Sequence, residues 1–255
     1  HAQLFIVYLG GPGSDGVWDL GKDYLRISTG EGTSDERNAL FAPIGIDSVI
    51  PQDGKVDLVY AGDLYGNLWR FDVSGSSARS WSSPVKPLFK GDKTRPITAI
   101  PAVGVAPASV TDLAPMRTGA LAKTHAVMVF FGSGRLLADA DKGASIVNRF
   151  YGVYDDGAKL DLTEADLTVQ QRTYSTATAR VYQNDLEVGY TRSASSSKRG
   201  WYIALPDDGE RVIDRALVRK GLVYFNTILP DTSTCDAGGK GWENVVQMSN
   251  GGSAR

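Results

Sequence analysis

No apolar run in this chain exceeds six residues, and the two longest, residues 4–9 and 126–131, are each closed by a glycine. A helix needs ~20 predominantly apolar residues to cross a bilayer, so none of these runs spans a membrane as a helix. They have the length of β-strands. They are also rich in Val, Ile, Tyr, Phe and Trp, which fit a pleated, half-buried surface. With 29 glycines spread through the chain, the pattern is one of many short antiparallel strands joined by tight turns.

The clearest unit is a hairpin made of residues 56–63, a turn at 64–67, and residues 68–73. Gly66 and Asn67 are expected to supply the positive φ angles of the turn, with the flanking segments alternating in and out. The same strand, turn, strand grammar returns at 127–134 with 150–155, and again at 200–206 with 221–227. Hairpins bearing glycine and aromatics at intervals of a few tens of residues point to propeller blades. The expectation is an all-β chain: a single β-propeller domain over residues 1–255 with roughly four blades. A decorated β-sandwich is the competing architecture. Residues 160–167 break the β pattern and read as a short helix on a surface insertion, capped by Asp161 or Thr163. The polar stretches 75–83 and 193–198 read as exposed loops.

Charge and cysteine content narrow the function classes. Lys and Arg number 27 against 29 for Asp and Glu, a formal net charge of -2, so no general attraction to a phosphate backbone is expected and nucleic acid is not the partner. A single cysteine, Cys235, builds neither a disulfide framework nor a cysteine metal site.

The most informative acidic cluster is Asp47, Asp53 and Asp57, with Gly54 among them, just before a strand. Calcium takes 6 to 8 oxygen ligands, and short Asp-rich loops with a central glycine provide them. Val49 and Pro51 stand where an alternating D-x-D pattern would put acids. Two readings stand: a calcium loop completed by backbone carbonyls, the Gln52 amide or water, and a calcium-free turn made by Asp53 and Gly54. Asp139 and Asp141 read as a solvated loop, because Lys142 would repel an ion. Asp207, Asp208, Gly209 and Glu210 read as a hairpin turn whose acids serve only the turn. Ser133 lacks the spacing of a nucleophile elbow and reads as a turn residue. His125 reads as an ordinary strand-edge residue. No helix N-terminus or basic neighbour activates Cys235. Trp69, Phe71, Tyr151, Tyr154, Trp201, Tyr202 and Tyr224 read as core aromatics.

Several segments, taken in order, resemble the C-terminal propeller of PilY1/PilC-type type IV pilus biogenesis proteins. They are residues 27–30 leading into Ala42 and Pro43, the block 57–72 (DLVYAGDLYGNLWRFD), and 96–104 (PITAIPAVG). The series continues with 129–135 (VFFGSGR), 150–155 (FYGVYD), 200–202 (GWY), 209–212 (GERV) and 223–227 (VYFNT). Together they cover nearly the whole chain from about Ile27 onward. The resemblance implies a non-catalytic module for pilus assembly, retraction control and adhesion at the cell surface or pilus tip. Its partners would be pilus subunits or minor pilins, with a host-surface receptor or glycan as adhesion target. It also implies calcium in the loop before residues 60–63. Asp47 and Asp57 match the ends of the family's loop and Asp53 an inner acid, with about two extra residues between them. The family's seven-bladed propeller would not fit in this chain, so the resemblance implies a fragment of one, a partial ring of quinoprotein-like blades. Two alternatives remain: a lectin-like propeller binding glycans through Trp18, Trp81 or Trp242, and a quinoprotein-like dehydrogenase, for which the chain lacks an adjacent-cysteine pair.

Overall fold

The computed structural model describes residues 1–48, 52–76, 80–81, 85–107, 126–143, 145–190, 197–231 and 239–254. Its regular structure is almost all strand, with 3-10 turns at Asp139–Asp141 and Glu164–Asp166. Strands β1 (Gln3–Val7) and β2 (Tyr24–Ser28) form an antiparallel pair. A second sheet takes β3 (Ile44–Ile46), β4 (Leu58–Gly62), β5 (Leu68–Asp72) and β6 (Lys86–Phe89) in chain order.

A third sheet begins with β7 (Ala102–Val105), β8 (Val127–Gly132) and β9 (Arg149–Asp155), and β10 (Thr168–Val169) lies at its outer edge. A separate ribbon of β11 (Arg172–Ser175) and β12 (Arg180–Tyr182) follows before β13 (Gly200–Ala204) enters between β9 and β10. The fourth sheet is β14 (Leu217–Arg219), β15 (Leu222–Pro230) and β16 (Gly239–Gln247). Successive strands within each sheet pair antiparallel, and β10 runs parallel to β13.

Side chains on a strand point alternately to opposite faces, and here both faces of the inner strands are covered. On β8, Val127, Val129 and Phe131 join Tyr60, Leu68, Phe89, Tyr151 and Val153 between the second and third sheets. Met128 and Phe130, pointing the other way, join Phe150, Trp201, Val223 and Phe225 between the third and fourth. A third cluster packs Leu4 of β1 on Ala61, Trp69 and Phe71. The in-and-out alternation expected for residues 56–73 is corrected in one respect: Leu58, Tyr60 and Leu68 face one cluster and Ala61, Trp69 and Phe71 the other, so both faces of β4 and β5 are covered and neither is turned to solvent. The sheets stack in chain order. Among the described residues no core cluster joins β1 and β2 to the fourth sheet.

Two local expectations change. Between β4 and β5 only Gly66 has positive φ, at 79°, while Asn67 does not. The Gly66 amide donates to the Asp63 carbonyl at 3.2 Å, and a Cβ on Gly66 would lie 2.5 Å from the Asp92 carbonyl oxygen. Glycine is thus required both for the turn and for the close approach of the 92–95 loop. In residues 160–167 the helix shrinks to the single turn Glu164–Asp166, where the Asp166 carboxylate accepts from the Thr163 amide at 2.9 Å. Leu162 and Leu167 are buried in the core between the second and third sheets. Asp161 caps nothing and sits at φ 57°. The segment is held by its leucines and is not a surface insertion.

Candidate functional site

The acidic loop lies between β3 and β4, and its acids take up different surroundings. Asp57 is buried, and its Oδ2 accepts from the Ser48 amide at 2.7 Å and the Ser48 hydroxyl at 3.3 Å. Asp47 Oδ2 accepts from the Gly54 amide at 2.8 Å, whereas its Oδ1 is buried without a hydrogen-bond donor. Asp53 is exposed and faces Lys55, whose Nζ lies 2.9 Å from Oδ2. That hydrogen bond lowers the Asp53 carboxyl below its ordinary range and raises the Lys55 ammonium. Among the described residues no three His, Cys, Asp or Glu side chains gather into a group able to hold a metal ion. The donor set still fits calcium in one respect: the orphaned Asp47 oxygen is what a hard cation satisfies, with carbonyl oxygens able to supply further ligands. Asp53 fits least, being already neutralised by Lys55.

A dense polar site is one that spacing did not reveal. Asp63, fully buried, directly follows β4, and its carboxylate accepts five hydrogen bonds. Oδ1 takes the amides of Tyr65 and Asn67 at 2.9 and 2.8 Å. Oδ2 takes Asn38 Nδ2 at 2.8 Å, Asn67 Nδ2 at 3.0 Å and Trp69 Nε1 at 2.7 Å. Every donor is neutral, and among the described residues no basic side chain pairs with the carboxylate, so five N–H dipoles hold it. The available signal was the cluster Asp63, Asn67 and Trp69, whose polar members all sit at the turn.

A second buried network ties the second sheet to the third. Tyr60 and Arg70 are directly opposed on β4 and β5. Both donate to Asp155 Oδ2, at the end of β9, at 2.6 Å. Burial, and then the Asp155 charge, push the Tyr60 phenol well above its ordinary range.

The turn at 207–210 forms as expected, with Gly209 at φ 73° and the Glu210 amide on the Asp207 carbonyl. Its acids do more than shape it, because Asp207 and a fully buried Glu210 both bind Arg180. The solvated reading of Asp141 is likewise corrected: Asp141 is buried and accepts from Arg135 Nε, Leu137 N and Ala138 N. Ser133 is buried, donating to Asn148 Oδ1 and accepting the Arg149 amide. Its hydroxyl braces the start of β9. His125 and Cys235 lie outside the described residues, as do parts of the 75–83 and 193–198 stretches. Of the three tryptophans that would mark a glycan face, Trp18 is exposed. Trp81 and Trp242 are half-buried and hydrogen-bonded to the Gly75 carbonyl and to Asp207.

Comparison with known proteins gives these features a context. Residues 24–194 match the model of the PilY1 beta-propeller domain. A type IV pilus biogenesis factor PilY1 homolog of Xylella fastidiosa is 31% identical over 278 residues, covering all of this chain and 17% of that protein. The type IV pilus biogenesis factor PilY1 of Pseudomonas aeruginosa is 26% identical over 239 residues, covering 78% of this chain and 20% of that protein. The chain thus spans a small part of those relatives. The crystal structure of the Pseudomonas aeruginosa PilY1 C-terminal domain superposes with a TM-score of 0.65 at 23% identity, over 90% of this chain and 50% of the solved one. The fold is therefore an all-β propeller whose sheets form a partial ring. On the match over residues 24–194, this chain belongs to the PilY1 β-propeller domain family.

Proposed function

We propose that this chain is the propeller module of a type IV pilus biogenesis factor, acting without catalysis in pilus assembly, retraction and surface adhesion. In this reading residues 1–255 are one domain, and the four stacked sheets are its successive blades. The module stands at the cell surface or pilus tip, where its loops contact pilus subunits or minor pilins and a host-surface receptor. The observation that carries the reading is the family match over residues 24–194. Further support comes from the chemistry of the interior, where Asp63, Asp155, Glu210 and Ser133 are all engaged in holding turns and sheets. A rigid scaffold with variable loops is suited to binding.

The test is removal of this region, in frame, from the full-length protein in the bacterium that encodes it. Surface pilin recovered by shearing is expected to fall to background and to return when the region is restored. Unchanged surface pilin, with the shortened protein still present, rejects the reading.

The same proposal includes calcium at the β3–β4 loop, held by Asp47 and Asp57 with Asp53 recruited from Lys55. The orphaned Asp47 oxygen supports it. Calorimetric titration with calcium is expected to give saturable 1:1 binding, weakened at least about tenfold by Asp47→Asn, which removes the charge at the orphaned oxygen. An absence of heat at millimolar calcium would leave a calcium-free turn.

A further inference from the structure

Residues 172–190 are an insertion in the third sheet: the chain leaves it after β10 and rejoins it at β13. Every residue of β11 is exposed, so burial of that strand does not hold the ribbon down. The fastening is on β12. The Arg180 side chain is only 3% exposed. Its Nη1 donates to both carboxylate oxygens of Glu210, at 2.7 and 3.0 Å, and its Nη2 to Asp207 Oδ2 at 2.6 Å. Its guanidinium also lies 3.9 Å from the centre of the Trp242 ring.

Both acids are braced from the fourth sheet. Thr227 Oγ1 donates to Glu210 at 2.6 Å and Trp242 Nε1 to Asp207 at 2.9 Å. One arginine from the third sheet's insertion is thereby gripped by two carboxylates of the 207–210 turn and by the face of Trp242 in the fourth sheet, a geometry to which a planar guanidinium is better suited than an ammonium.

Past Arg180 the segment crosses the junction on neutral hydrogen bonds. The Tyr182 amide donates to Ser253 Oγ at 2.8 Å, and Asn250 Nδ2 reaches the carbonyls of Asn184 and Leu186 at 2.9 and 3.1 Å. Its far end is anchored where the Tyr190 hydroxyl donates to Asp156, which Arg199 also pairs with at 3.2 Å. Between the two anchors, residues 184–190 form one wall of a cleft of about 470 Å³, with Tyr154, Ser249 and Asn250 opposite.

We propose that residues 172–190 are a strap across the junction of the third and fourth sheets, latched by Arg180 and hinged at Tyr190, and that the latch holds this wall of the cleft in place. The strap is a low-stability unit, since β11 is fully solvated and Tyr182, Val188 and Tyr190 alone among residues 172–190 are buried. Freed from Arg180, it swings about Tyr190 and draws its own Tyr182 and Val188 out of the core between the third and fourth sheets.

Hydrogen exchange followed by mass spectrometry on this chain tests the latch. Arg180→Met made together with Glu210→Gln, so that no buried carboxylate is left charged and unpaired, is expected to speed exchange about tenfold or more in peptides covering 180–188, leaving β8, β9 and β15 unchanged. Asp207→Asn, at a side chain 41% exposed, is expected to fold normally and to give a smaller rise in the same peptides. Unchanged exchange in 180–188 for that double variant would mean that the strap is held without the latch. A rise shared equally with β8, β9 and β15 would mean that Arg180 supports the whole fold. Either result overturns the proposal.

Discussion

Asp63→Ala is expected to destabilise the domain by about 4 kcal/mol or more. It removes a buried carboxylate and leaves five N–H donors facing a cavity. An unsatisfied buried donor costs about 1–3 kcal/mol, and water entering the space offsets part of the sum. Asp63→Asn keeps the shape but gives back a single acceptor oxygen and turns an amide N–H₂ toward donors, so a loss of about 2–3 kcal/mol is expected. For a domain of this size the alanine loss corresponds to a fall of about 8–16 °C in Tm. Urea midpoints and calorimetric Tm values check both. An alanine variant within about 1 kcal/mol of the parent would show that the hairpin end does not depend on its carboxylate. The Asp63 knot would then be an accessory to the β4–β5 turn.

Arg70→Met is expected to cost about 3–5 kcal/mol, because it strands the buried Asp155 charge between two sheets. The Tyr60 hydroxyl and the Gly157 amide still donate to Asp155, but they carry no countercharge. Asp155→Asn is expected to cost less, since Arg70 keeps Asp72 as a countercharge at 3.7 Å. The double variant is expected to cost less than the sum of the two by about 2 kcal/mol or more, since neither charge is then left alone. A urea series on the four proteins reads this coupling directly. Additive losses would mean that the pair is solvated in solution and that apolar packing alone holds the second and third sheets together. The apolar contacts at that junction are extensive, with Phe89, Phe131 and Tyr151 in mutual ring contact. The expected effect therefore concerns an unpaired charge, not a missing surface.

The division between what was readable and what was not follows residue chemistry. The β4–β5 hairpin was legible because apolar runs, a glycine and a polar turn lie within 15 residues of one another, and the register Leu58 to Asp72 follows from them. The turn's detail was not: Asn67 was expected at positive φ, but its amide and side chain are spent on Asp63. The acids at 207–210 looked like turn chemistry because a turn is all their own neighbourhood requires. Arg180, which they bind, lies 27 and 30 residues away, in an insertion that no local pattern links to them.

The sequence by itself determined the strand-rich class, the short turns and the order of the hairpins, since side-chain period and turn geometry are local properties of a few residues. Only the tertiary structure decided which face of each strand meets which neighbour and which buried charges pair. Tyr60 and Arg70 reach Asp155 across 95 and 85 residues, and Met128 and Val129, adjacent in the chain, enter different cores. Those outcomes depend on how twisted sheets stack. Stacking is set by the summed packing of whole faces, which no spacing of residues along the chain encodes.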